Sequence, residues 1–245
     1  MLTQPPPASP TSSPDDARTS PDDLSGHRHR QVIGYLGLAL PILLVQLERL
    51  RPNAPSDRWQ GTSISAYYWT GAVSLFVGLL AALSLFLLTY RGYANKWYRY
   101  DRTAAIVAGV AAAVVALFPT TPPEGLAPLP WFHAWISVTH AVAAIVLFST
   151  FAEFSLWLFR KTEPDGEKTA DKKQRDTIHL VCGIGIVVSM LWAFVAGRAG
   201  ASIFWPESFA LIFFAWSWLV KGRALHSVKA TLRAATTAGA KPCPR

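Results

Sequence analysis

Six long apolar runs, each set off by polar or charged segments, constrain this chain more than any other feature. They fall at about 32–47, 71–90, 104–118, 135–156, 178–196 and 204–220. A helix needs about 20 apolar residues to cross a hydrocarbon core of roughly 30 Å. Lipid offers backbone groups no partners, so a spanning segment must satisfy its own hydrogen bonds as a helix or in a closed barrel. A soluble core would require shorter runs, each with a polar stripe. The expected class is therefore all-α: a polytopic membrane bundle of six transmembrane helices. The first, third and sixth runs are short. A run of about 16 residues covers only about 24 Å, and flanking aromatics or local thinning would absorb the mismatch. Pro41 is expected to kink the first span, because it removes a backbone donor.

Charge then sets orientation. Only 16% of residues are Asp, Glu, Lys or Arg, against roughly a quarter in soluble domains. The net charge of +8 would suggest nucleic acid in a soluble chain. Here the charges lie between apolar runs, so they read as topology signals, and no nucleic-acid partner is expected. Lys and Arg number 3 in the N-terminal tail, 4 in 91–102, 6 in 159–177 and 6 from Lys221 onward. The alternate segments hold 3, none and 1, so 19 of the 23 basic residues fall on one side. Cytoplasmic segments carry the excess of Lys and Arg, so both termini are expected in the cytoplasm of a cell with this chain in its inner membrane. The organisation expected is a disordered tail over 1–30, a six-helix domain over 31–222 and a basic tail over 223–245. The first tail is rich in Pro, Ser, Thr and Asp and cannot bury enough apolar area to order itself. Cys182 and Cys243 form no CxxC spacing or disulfide framework, and no cofactor or metal is expected.

The polar residues of the less basic side are the candidates for function. "TSISAYYWT" at 62–70 is too rich in hydroxyls and rings for a plain turn. Tyr67, Tyr68 and Trp69 fit an aromatic belt at headgroup level, and Thr70 fits a helix start. Ser63 and Ser65 are not explained by that anchor. His133, Ser137 and His140 have the i, i+4, i+7 spacing of one helical face, with His140 about 10 Å deeper than His133. A polar stripe entering a bilayer must face protein or water. The candidate ligand-binding set is Ser63, Ser65, Tyr67, Tyr68, Thr120, His133, His140 and Glu207. Glu207 also has a local account, as a first-turn carboxylate after Pro206. Glu153 is a candidate intramembrane acid, directed toward Arg160 and Lys161, toward water, or toward Arg102 or Asp101. Thr177 reads as an N-cap, and "GIG" at 183–185 as close helix packing.

No P-loop, HExxH, GxSxG or GxGxxG context occurs. A three-His zinc site lacks its third histidine, since His179 falls toward the other side. Ser65, His140 and Glu207 could be assembled into a nucleophile, base and acid, but no spacing rule selects them, so the catalytic residues stay unassigned.

Six stretches, "SISAYYWTG", "FLLTYRGY", "ALFPTTPP", "SVTHAVAAIVLF", "KKQRDTIHLVCG" and "FWPESFALIFFAWSWLVKG", together resemble an uncharacterised family of small bacterial integral membrane proteins. The likeness covers about 31–222. A more distant likeness is to six-helix frag/autophagy-modulator type membrane proteins, which implies a non-enzymatic role. The alkaline ceramidase-like hydrolases share only the outline, because their several metal-binding histidines are not matched here. The leading expectation is a non-enzymatic membrane protein with an outward-facing polar pocket for small-molecule or lipid binding, sensing or transport. An intramembrane hydrolase acting on a lipid and a structural or assembly protein are the alternatives. Membrane lipids and further copies of the chain, as a homo-oligomer, are the expected partners.

Overall fold

The computed structural model describes residues 21–50, 62–92, 97–126, 129–161 and 170–223. Within them the chain is all-helical. The α-helices are α1 (Pro21–Arg49), α2 (Val73–Thr89), α3 (Tyr98–Leu117), α4 (Ala134–Leu156), α5 (Ala170–Arg198) and α6 (Phe204–Lys221). Two short 3-10 turns, η1 (Ser65–Trp69) and η2 (Leu158–Arg160), precede α2 and follow α4. Each helix packs on the next in sequence, and α1 closes the ring against α6.

Four helical segments are long and apolar enough to cross a membrane: Ser25–Arg49, Tyr98–Leu117, Ala134–Arg160 and Ala170–Arg198. The expected six fall short at α2, which has only 17 residues. They also fall short at α6, where Pro206, Glu207 and Lys221 interrupt the apolar run. A bilayer nevertheless explains the surface. Val181, Ile184, Val188, Leu191 and Val195 form one face of α5, each 50–64% exposed. Water would not tolerate an apolar face that long on a monomer.

Two helices begin well before their apolar runs. The segment 1–30 was expected to be disordered, yet α1 starts at Pro21; residues 1–20 lie outside the described residues, as does most of the 223–245 tail. Pro suits a first helical turn because its missing donor would be unsatisfied there. Tertiary bonds then hold the polar stretch in place. His29 Nε2 donates to the Phe86 carbonyl at 2.7 Å, and Gln31 Nε2 to Gly222 O at 2.8 Å. Pro41 lies inside α1, which continues unbroken to Arg49. Likewise α5 starts at Ala170, so Thr177 is not an N-cap; its hydroxyl donates back to Lys173 O at 3.1 Å within the helix.

Close helix approach is written in glycine. A Cβ on Gly37 would stand 2.6 Å from the Phe214 ring, so α1 can meet α6 there only without a side chain. The GIG pair does what small residues do in such bundles: Gly183 sits against Leu156, and Gly185 against Phe213. At the centre Phe151 stacks on Phe214 with ring centroids 3.6 Å apart.

The ends of the ring differ in chemistry. At one end Arg30 Nε reaches Tyr90 Oη at 3.3 Å, Arg102 Nη1 reaches Tyr90 O at 2.8 Å, and Lys221 Nζ reaches Phe159 O at 3.1 Å. Lys172 pairs with Asp176. The Lys161 ammonium sits 3.0 Å from the Trp157 ring centroid and 3.3 Å from that of Trp97, with Tyr100 as a third wall. The opposite end gathers η1 and the ends of α3 and α4 around a pocket.

Candidate functional site

Residues 63–67 form a buried plug across that end of the bundle, with Thr62 exposed and Tyr68, Trp69 and Thr70 half-buried. Ser63, Ile64, Ser65, Ala66 and Tyr67 are all buried. Non-helical backbone at such a place must find partners within the protein. Thr62 O accepts from Ile203 N at 2.8 Å, and Ile64 N donates to Glu207 Oε2 at 2.6 Å. Ala66 N donates to Ser63 Oγ at 2.9 Å. Thr70 ends η1 rather than starting α2: its hydroxyl donates to Tyr67 O at 3.0 Å and accepts from Ala72 N at 3.1 Å.

Burial takes Tyr67 out of the expected aromatic belt. Tyr67 is 1% exposed and packs toward Phe204, so it belongs to the core. Burial, with the Glu48 carboxylate adding to it and Arg49 opposing, pushes its phenol up to about 12. Tyr68 packs edge-on against Phe76. Trp69 Nε1 donates to Thr120 O at 2.9 Å, which ties η1 to the segment after α3.

His140 is the centre of the site. It lies on α4, buried to 3% exposure. Its Nδ1 is 2.6 Å from Phe118 O, and its Nε2 is 2.9 Å from Ser65 Oγ. A carbonyl oxygen only accepts, so Nδ1 carries the proton. Nε2 is then an acceptor, and the Ser65 hydroxyl donates to it. The carbonyl is available because α3 ends at Leu117 and leaves its last carbonyls without helical partners.

A pocket of about 250 Å³ opens beside this pair. Ser63, Ser65, Thr120, His140 and Glu207 form its polar end. Ala144, Ile145, Phe148, Met190 and Phe194 form its apolar wall. Ile145 and Phe194 are also among the most exposed apolar side chains, at 60% and 64%. The pocket therefore borders the exposed apolar surface of α4 and α5. A second, smaller cavity of about 30 Å³ also touches Ser65 and Glu207, against Leu83 and Val115.

Five of the eight candidate ligand-binding residues thus meet at one pocket: Ser63, Ser65, Thr120, His140 and Glu207. Tyr67 and Tyr68 face the core instead. His133 is exposed and occupies the extended N-cap position of α4, so helical spacing does not carry it onto the His140 face. Glu153 is exposed on α4 and makes no ion pair among the described residues. Arg102, one suggested partner, spends its guanidinium on the carbonyls of Leu88 and Tyr90.

Sequence reasoning missed two features. Ser189, 4% exposed on α5, lines the pocket. At the basic end Ser155 donates to Ser217 Oγ at 2.9 Å, and Ser217 is 2.9 Å from His179 Nδ1. A hydroxyl inside an apolar run was the available signal for both. Among the described residues no group of three or more His, Cys, Asp or Glu could hold a metal.

The fold and site define an all-helical bundle with apolar helices of membrane-spanning length and a lateral, polar-ended pocket containing a Ser–His pair. Comparison of the sequence with protein-family models and curated proteins, and of the fold with solved structures, finds no match.

Proposed function

We propose that this chain is a multi-pass membrane protein that takes a single-chain amphiphile from the bilayer into the pocket between η1, α4, α5 and α6. One observation carries the reading: exposed apolar side chains, Ile145 and Phe194, border the pocket, while buried polar ones, Ser63, Ser65, His140 and Ser189, line it. Such an asymmetry matches a molecule with an acyl chain and a small head. Burying apolar chain contributes roughly 0.8 kcal/mol per methylene, and the hydroxyls fix the head. No Lys or Arg lines the pocket, and its one ionisable acid is Glu207. An anionic head would find no counter-charge there, so the fitting classes are neutral or cationic heads.

In this reading all six helices cross the membrane, with both termini and the basic end cytoplasmic. About 17 residues of α2 still reach roughly 26 Å, and the Lys and Arg distribution supports the orientation. The resemblance to bacterial membrane proteins favours the inner membrane. Reporter fusions at both termini test the topology, and an external C-terminus would overturn it. Photocrosslinking with a diazirine-bearing monoacylglycerol in nanodiscs tests the pocket. Adducts should map to α4 and α5 near Ala144 and Phe194, and should vanish in Ala144→Trp. Adducts scattered evenly over the lipid-facing helices would refute selective binding.

A second reading is structural. His140 bonds η1 to the end of α3, and Glu207 bonds η1 to α6, so these residues also staple the plug. The open pocket beside them is what a staple does not require.

A further inference from the structure

We propose that Ser65 and His140 are a nucleophile and its general base, and that the pocket cleaves the carboxylic ester of a neutral, acylglycerol-like amphiphile. This rests on the binding reading above. Its own evidence is the direction of the hydrogen bonds. The Phe118 carbonyl, 2.6 Å from Nδ1, fixes the tautomer that leaves the Nε2 lone pair on Ser65 Oγ at 2.9 Å. Nucleophile and base within hydrogen-bond reach, with the base held by a third group, is the recurring arrangement for an activated hydroxyl. Here the one hydroxyl it touches also lines an accessible pocket.

The chemistry closes on atoms present in the site and one water. Ser65 Oγ attacks the ester carbonyl carbon as its proton passes to His140 Nε2. The tetrahedral oxyanion faces the pocket that holds the Ser63 and Thr120 hydroxyls as donors. Collapse breaks the carbon–alkoxy bond, and Nε2–H protonates the leaving alkoxide to give an alcohol and an acylated Ser65. Water, deprotonated by Nε2, then attacks the acyl carbon and releases a fatty acid, and the proton returns to Ser65 Oγ. The 30 Å³ cavity beside Ser65 and Glu207 has room for about one water.

The group orienting His140 also limits the reaction. It is an uncharged carbonyl, and Glu207 does not replace it, because the ring nitrogens of His140 are bonded to Phe118 O and Ser65 Oγ. In serine proteases, losing the orienting carboxylate slows turnover by about 10⁴. The pair should therefore act slowly, and on esters rather than amides, whose leaving groups demand more from the acid.

The test uses the full chain in nanodiscs and a long-chain alkyl fluorophosphonate, which phosphonylates activated serines irreversibly. Peptide mapping should find the adduct on Ser65. Ser65→Ala should abolish it, and His140→Gln should slow it by about 100-fold or more, the usual worth of a general base. No adduct at Ser65, or an equal rate in His140→Gln, overturns the catalytic assignment. The diazirine monoacylglycerol is run in parallel. Crosslinking retained by Ser65→Ala shows that variant folded and its pocket intact. Crosslinking with no Ser65 adduct in the wild type leaves the pocket reading standing and refutes catalysis alone. Loss of both in the wild type refutes the two together.

Discussion

Replacing Glu207 separates a hydrogen-bond acceptor from a charge. The carboxylate accepts from Ile64 N at 2.6 Å, across 143 positions of sequence. Ile64 is 3% exposed, so its amide has no route to bulk water. In Glu207→Leu the donor is left buried and unpaired, which costs about 1–3 kcal/mol. The middle of that range, about 2 kcal/mol, is the expected loss. Glu207→Gln keeps an acceptor oxygen at the same length and should lose about 1 kcal/mol or less. Two assays read this. Unfolding in mixed detergent micelles should rank wild type, Gln and Leu in that order. Hydrogen exchange of the 62–70 segment should rise about 30-fold in the Leu variant, the equivalent of about 2 kcal/mol in a local opening. If Glu207→Leu exchanges like the wild type, the plug is not held by this bond. If Gln and Leu behave alike, the negative charge matters rather than the acceptor.

Further predictions follow from other contacts. Gly37→Leu places its first side-chain carbon 2.6 Å from Phe214, and overpacking of this kind should destabilise by about 1–3 kcal/mol in the same unfolding assay. An unaffected variant would refute the close α1–α6 approach. Lys161→Met removes the cation from its aromatic walls and should lose about 0.5–2 kcal/mol, with Lys161→Arg losing less; equal stability in all three chains would show the ring contacts to be idle. Among the seven tyrosines, Tyr67 should ionise late in an absorbance titration, near pH 12, and Tyr67→Phe should remove that step. Its folded value lies above the ordinary 10.0, so the folded state holds the proton more tightly. The stability tied to it is complete below pH 10 and is lost as pH rises toward about 12.

The sequence showed helices, their order and the polar side of the bundle, because hydrophobic runs and lysine placement are local properties. It also narrowed the 62–70 question to two serines and His140. What it concealed was set by distant partners. Tyr67 looked like an interfacial ring because amphipathic aromatics favour that depth, but Phe204 and the plug's backbone bonds draw it inside. Glu207 had a sufficient local explanation in the helix dipole, and nothing nearby in sequence announced Ile64. The extra turns of α1 and α5 were invisible because charged residues read as loop until Arg30 and Asp176 find buried positions and His29 bonds to α2. His133 illustrates the reverse error: helical spacing was applied across a residue whose backbone is extended.

The cations at the basic end have two lives. On the proposed topology, Arg30, Lys161, Lys172 and Lys221 are among the charges that would orient the chain, while each segment is still unfolded and fully hydrated. In the finished bundle Arg30 is buried, and the other three are half-buried against carbonyls, a carboxylate or aromatic rings. On that topology, insertion draws on charges that folding afterwards withdraws from water. A neutral substitution at one of them acts twice, at separate times: on which way the segment enters, and on how firmly the completed ring is closed.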